Sequence, residues 1–160
     1  MKKTITFISI ITLATMMLFA SAFSKEDAKQ QALADAKLNK NEVKWLRASS
    51  ERDDGWKYYE VTFNHGEYEY EYEFTEEGEM ISKSYELKKR PSQDKNATIM
   101  DASKAEELVK NITGASNIRL HKDRDDGITV YEAEAFTDQA FFDMELDAVS
   151  GRIISISIEY

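Results

Sequence analysis

Arg52-Asp53-Asp54-Gly55, followed four residues after its glycine by Tyr59-Glu60-Val61, returns later in the chain as Arg124-Asp125-Asp126-Gly127 and Tyr131-Glu132-Ala133. Both matches stand at one offset, and the likeness extends in both directions. Upstream, Phe23-Ser24 with Ala28 corresponds to Met100-Asp101 with Ala105. Downstream, Gly78 before Met80-Ile81 corresponds to Gly151 before Ile153-Ile154. Self-similarity of this kind marks a chain built from repeats of one supersecondary unit. The polar run from Lys88 to Asn96 holds the only proline, Pro91, and reads as the joint. The expected plan is a leader over residues 1–22, a first repeat over 23–87, a linker over 88–97 and a second repeat over 98–160.

The leader has three parts. Met1-Lys2-Lys3 is positive, Ile5 to Ala20 is apolar, and Ala20-Ser21-Ala22 is a small-residue cleavage pattern. That is the make-up of a secretory signal peptide. The apolar run is slightly short for a membrane anchor, which needs about 20 residues. A secreted or extracytoplasmic protein is expected, with no membrane attachment after cleavage.

Within its 160 residues the chain is 42% hydrophobic and holds 8 Tyr, 8 Phe and 2 Trp, too apolar and aromatic for a wholly disordered chain. It has no Cys, so disulfides, thiolate metal sites and thiol nucleophiles are excluded. Its 30 Asp and Glu outweigh 21 Lys and Arg, a net charge of -9 that repels nucleic acid and anionic membrane.

Each repeat opens with a helix. Ser24 and Asp101 have N-cap chemistry, and Asp27 completes a capping box with Ser24. Phe23 is placed to staple against Ala28. Ala102, Ala105, Leu108, Val109 and Ile112 fall on one helical face, and Gly114 is a stop. Strands follow. Val43 to Ala48 and Ser116 to His121 read as first strands. Tyr59, Val61 and Phe63 alternate with polar neighbours, and Asn64-His65-Gly66 supplies a turn. Glu67-Tyr68-Glu69-Tyr70-Glu71-Tyr72-Glu73-Phe74 alternates strictly. Ala140, Phe142, Met144 and Leu146 take the inward face of the second unit, as do Ile154, Ile156 and Ile158. The fold expected is α+β, a tandem repeat of a helix followed by about four antiparallel strands, the helix packed on one sheet face. A unit of ~60 residues buries only ~60% of its surface and is marginal alone, so the two should pack together or continue one sheet.

This pattern resembles the PepSY domain family. The first unit shows Ser24-Lys25-Glu26-Asp27-Ala28, Asp53-Asp54-Gly55, Tyr59-Glu60-Val61 and Tyr70-Glu71-Tyr72-Glu73-Phe74. The second shows the closing motif Leu146-Asp147-Ala148-Val149-Ser150-Gly151-Arg152-Ile153-Ile154, where the first departs with Thr75-Glu76-Glu77-Gly78. The resemblance implies a non-catalytic module of exported bacterial proteins that modulates or inhibits a peptidase in the cell's surroundings. It brings no catalytic residues and no general ligand site.

The residues themselves offer little catalysis. No nucleophile elbow or phosphate-binding glycine loop is present. His65 and His121 lack an H-x-x-x-H partner, and Asp123 to Gly127 reads as a turn because Arg124 and Lys122 break a calcium-loop frame. No enzyme, cofactor or metal is expected. Glu67, Glu69, Glu71 and Glu73 share one strand face, either as a carboxylate ladder for cations or a basic partner or as an ordinary solvated face, the second being the plainer reading. A small acidic envelope protein binding cations or cationic wall components is the alternative to peptidase modulation. Trp45, Trp56, Tyr58 and Phe141 are the candidate partner-binding residues. They would either fill an interface between the repeats or form an exposed recognition patch.

Overall fold

The structure, a computed structural model, describes residues 22–160. The expected signal peptide lies outside the described residues except for Ala22. Two helices and eight strands follow in the order α1 (Lys25–Asp35), β1 (Lys44–Asp53), β2 (Trp56–His65), β3 (Tyr68–Thr75), β4 (Met80–Leu87), α2 (Ala102–Thr113), β5 (Asn117–Asp125), β6 (Ile128–Phe136), β7 (Phe141–Asp147) and β8 (Ile153–Glu159). The class is α+β, dominated by one antiparallel sheet. Among the described residues no helix is long and apolar enough to cross a membrane.

The helix starts follow from their caps. The Asp27 N–H donates to Ser24 Oγ at 3.3 Å, and the Ser24 N–H donates to the Asp27 carboxylate at 2.9 Å. Two amides that the first turn leaves free are thereby satisfied. Asp101 occupies the cap position of α2 but its side chain makes no capping bond. Phe23 lies against the rings of Tyr59 and Phe74, with centroids 5.8 and 6.0 Å away, so it anchors the helix entry to the sheet.

The first strand of each half runs further than its apolar pattern suggests. β1 continues to Asp53 and β5 to Asp125, because charged residues are admissible on the outermost strands of a sheet and discourage pairing with other chains. Only Asp54-Gly55 and Asp126-Gly127 form the turns. Their φ angles are 44° and 89°, and 47° and 84°. Two positive values in a two-residue loop match the twist of the strands it joins.

The strands lie in the order β1-β2-β3-β4-β8-β7-β6-β5. Each half is a meander, and the two meet where β4 pairs antiparallel with β8, Ser82 to Glu86 against Glu159 to Ser155. Of the two arrangements open from the sequence, the halves therefore continue one sheet.

Period-two alternation divides the sheet into two faces. On the inner face Val61, Phe63, Tyr72 and Phe74 share a buried cluster with Ala28, Ala32 and Leu33 of α1. Ala133, Ala135, Met144, Leu146, Ile156 and Ile158 share another with Ala105 and Val109 of α2. Small helix residues let the backbone approach the strands closely. Leu87, Ile128, Val130 and Ile154, with Tyr68 against them, form a third cluster that spans both halves. The linker is tied beside it, since Gln93 donates to the Thr129 carbonyl and accepts the Thr129 N–H, both at 2.7 Å.

Candidate functional site

The outer face of the sheet carries the polar partners of that alternation, and the strand order brings them into three rows, each crossing all eight strands. The first is Ser49, Glu60, Glu73, Ser82, Glu159, Phe141, Phe136 and Asn117. The second is Arg47, Thr62, Glu71, Ser84, Ser157, Asp143, Glu134 and Arg119. The third is Lys44, Asn64, Glu69, Glu86, Ser155, Glu145, Glu132 and His121.

Carboxylates dominate these rows, and several oppose each other directly: Glu60 with Glu73, Glu69 with Glu86, Glu132 with Glu145, and Glu134 with Asp143. Like charges in direct cross-strand pairs destabilise a sheet. The electrostatics register this. Loss of water and then the charges of Glu60, Glu73 and Glu69 hold the Glu71 carboxyl above its ordinary value. Loss of water, Glu51 and Glu73 do the same to Glu60. Burial keeps Glu145 high even though Arg90 pulls it down.

The centre of the face is low. Ser82, Ser84, Ser155 and Ser157 occupy the β4–β8 join, where small side chains leave the sheet backbone as a floor. A cavity of about 880 Å³ lies over β4, β8, β7, β6 and β5, lined by Ser84, Ser157, Asp143, Glu145, Glu132 and Glu134 among others. A second hollow, of about 490 Å³, continues it over Glu71, Glu73, Ser82 and Glu159, and shares Ser84 and Ser157. The pair form one trough across the sheet from β3 to β5, with Glu71 and Glu73 at its β3 end and Asp143 and Glu145 of β7 within it.

The linker reaches one end of this trough. The Arg90 guanidinium bridges Glu145 and Asp125, at 2.8 Å from the latter. Arg119 pairs with Glu134 at 3.2 Å. Among the described residues no ion pair reaches Glu69, Glu71, Glu73, Glu86, Glu132 or Asp143. Nor do three His, Asp or Glu side chains converge closely enough there to hold a metal ion. Alternate residues of one strand stand ~7 Å apart, so the carboxylates form lines rather than a cage.

The aromatic candidates are not gathered into one patch. Trp56 is 81% and Trp45 69% exposed, so neither fills an interface between the halves; the halves join edge to edge at β4 and β8 instead. Trp56 adjoins the β1–β2 turn, whereas Trp45 lies at the far end of β1, beside a register irregularity and under the Arg47 guanidinium at 5.9 Å. Tyr58 opposes Glu51 and Thr75 on the outer face. Phe141 packs against Phe136 with ring centroids 4.9 Å apart and planes tilted by 38°, on β7, with β8, β4 and β3 between it and β2. The serine floor and the β7 carboxylates Asp143 and Glu145 were absent from the sequence candidates. Their polar alternation is visible in the chain, but their meeting depends on which strands are neighbours.

Residues 99–156 match the family described as "Peptidase propeptide and YPEB domain", PepSY. The match covers 58 of the 160 residues, all of them in the second half of the chain. Its closing motif is structural: the buried Asp147 accepts the N–H groups of Val149 and Ser150 at 2.8 and 2.7 Å, and its own N–H donates to the Arg152 carbonyl. The Ala148 carbonyl receives the Met100 N–H, which ties the PepSY motif to the entry of α2. No curated protein matches the chain. A crystal structure described as a "putative lipoprotein" from Clostridium difficile 630 is similar at 18% identity, with a TM-score of 0.36, over 84% of this chain and 91% of that one.

Proposed function

We propose that this is an exported, non-catalytic regulator that modulates or inhibits a peptidase outside the cytoplasm. The observation behind it is the PepSY match over residues 99–156, whose family description names peptidase propeptides. The closing motif supports a scaffold rather than a reaction centre, since Asp147 spends its carboxylate on turn amides.

We further infer that residues 23–87 are a second copy of the same unit. The element order supports this, as do the matching Asp-Gly turns. A finer correspondence lies at the helix entries. The Tyr59 hydroxyl donates to the Phe23 carbonyl at 3.2 Å, and the Tyr131 hydroxyl donates to the Met100 carbonyl at 2.8 Å. A pair of PepSY units presenting one continuous sheet suits a protein that works by binding.

The test is a rate assay. Secreted metallopeptidases, taken from the same culture, are incubated with the purified chain and with heat-unfolded chain. A dose-dependent change in the rate of at least one, seen only with folded chain, is expected. Unchanged rates and no co-purification across the whole set would overturn the reading.

A further inference from the structure

We propose that β5 is the surface through which two copies of this chain pair, edge to edge and antiparallel, about a two-fold axis at His121. This goes beyond peptidase modulation and stands independently of it.

The strand order leaves β5 at one end of the sheet. Asp125 and Ile128 flank a two-residue turn and form a hydrogen-bonded pair, and such pairs recur at every second residue. Asn117, Arg119, His121, Asp123 and Asp125 therefore turn their backbone groups toward β6. Ile118, Leu120, Lys122 and Arg124 turn theirs to the open edge. A row of free N–H and C=O groups is a template for another strand. The 9 residues of β5 pair with β6 without a register shift. The opposite edge is blunted, because β1 has an irregularity between Lys44 and Arg47 where Trp45 is left-handed and largely exposed.

Charge selects the occupant. Charged side chains turn foreign strands away from an edge, but this set is complementary to itself. Between two antiparallel copies of β5, one register overlaps the whole strand, with Asn117 opposite Asp125 of the second copy. That register sets Arg119 against Asp123 twice, once from each copy, and brings the two His121 residues together on the axis. It also sets Ile118 against Arg124 and Leu120 against Lys122, so the residues with free backbone groups meet one another. Asp123 spends one oxygen on the Arg124 N–H and has no ion pair among the described residues. The Arg119 side chain is 75% exposed and pairs with Glu134 at 3.2 Å, and its remaining N–H groups can take a second carboxylate.

Apolar surface on the same edge awaits a cover. Ile118 and Leu120 pack on the α2 cluster yet stay half-buried. The aliphatic stems of Arg124 and Lys122 from the second copy lie opposite them and shield them from water.

The experiment begins with His121→Cys in the purified chain, which has no other cysteine. On the axis the two residues form a non-hydrogen-bonded pair with Cα atoms ~4.5 Å apart, within reach of a disulfide. Under mild oxidation this variant should run mostly as a covalent dimer on a non-reducing gel. Asn117→Cys stands ~27 Å from its counterpart along the strands and should stay monomeric. Sedimentation equilibrium then tests the charges. Asp123→Arg and Arg119→Asp should each weaken self-association by at least about tenfold, and the double variant should return to within about threefold of the parent. Equal cross-linking of the two cysteine variants would overturn the register. Tighter association of Asp123→Arg would reduce the effect to net charge and overturn the pairing. So would a parent chain that stays monomeric throughout, or one whose mass grows past two chains with concentration, the mark of head-to-tail β1–β5 contacts.

Discussion

Glu69 on β3 stands directly opposite Glu86 on β4, and neither is paired with a cation among the described residues. A sheet selected for stability alone would place opposite charges there. Glu69→Gln is expected to stabilise the fold by ~0.2–1 kcal/mol at low salt. The gain should shrink at high salt, where screening already weakens the repulsion. Urea titrations at two ionic strengths measure it; a destabilised variant would show that the Glu69 charge supports the fold.

The same crowding sets a pH profile. Glu60 and Glu71 bind their protons more tightly in the folded chain than at the ordinary value of 4.5. Their contribution is fully present below 4.5 and is lost as pH rises through the raised values. Glu42 acts oppositely: bonds from Asn39 hold its carboxyl below 4.5, so its contribution is lost as pH falls. The melting temperature should therefore peak at mildly acid pH and decline toward neutrality. A profile that climbs steadily from pH 5 to 8 would contradict this account.

The join predicts cooperativity. Ile156 is 2% exposed, packs in the α2 cluster and pairs with Tyr85 across the β4–β8 seam. Ile156→Ala removes buried volume on the second half and should cost ~2–5 kcal/mol. Because the third cluster also spans both halves, the parent chain should unfold in one transition followed alike by tryptophan fluorescence, which reports the first half, and by far-ultraviolet dichroism. Separate midpoints would mean that the halves fold independently.

Much of this architecture is legible in the chain. Ser24 with Asp27 sets the start of α1, Asp54-Gly55 and Asp126-Gly127 set the hairpins, and alternation sets the strands, because each depends on residues close in sequence. The β4–β8 pairing depends on residues far apart, and nothing in the alternation of Ser82, Ser84 and Glu86 names Ser155 and Ser157 as neighbours. The trough inherits that gap. Glu69 to Glu73 show as a ladder on one strand, but Asp143 and Glu145 of β7 come near it on the same face only through the strand order. Trp45 and Trp56 stand out by residue type, a signal that says nothing of whether the two ends of a long hairpin meet.

Trp45 has a φ of 59°, a left-handed conformation that costs L-residues roughly 1–2 kcal/mol. Since the indole is 69% exposed, little burial offsets it. Trp45→Gly should leave stability within about 0.5 kcal/mol of the parent or raise it, whereas β-branched Trp45→Val should lose about 1–2 kcal/mol. Thermal melts of both variants decide it. A large loss in the glycine variant would reveal that the Arg47–Trp45 stack contributes to the fold.

Gly78 separates backbone strain from crowding. Its φ is +93°, and a Cβ there would lie 2.7 Å from the Phe23 ring, which is held against Tyr59 and Phe74. Gly55 has a φ of +89° with nothing within 4 Å of a Cβ. Gly55→Ala should therefore cost only the left-handed strain, roughly 1–2 kcal/mol, and Gly78→Ala at least about 1 kcal/mol more. Equal losses would show that Phe23 yields freely and does not anchor the entry of α1.

Asp147 ties the PepSY closing motif to pH. Burial raises its carboxyl, but the N–H groups of Ser150 and Val149 outweigh burial and carry it below 3.8. Its stabilisation is present above that value and is lost as pH falls through the folded one. Asp147→Ala removes the acceptor for two turn amides and should cost ~1–3 kcal/mol at neutral pH. Asp147→Asn keeps the shape and one acceptor oxygen, so it should lose less, and its stability should fall less steeply on acidification than the parent's. Urea titrations at about pH 7 and pH 3 test both. An asparagine variant that matches the parent at both values would mean that the carboxylate charge, as distinct from its hydrogen bonds, has no part in holding the turn.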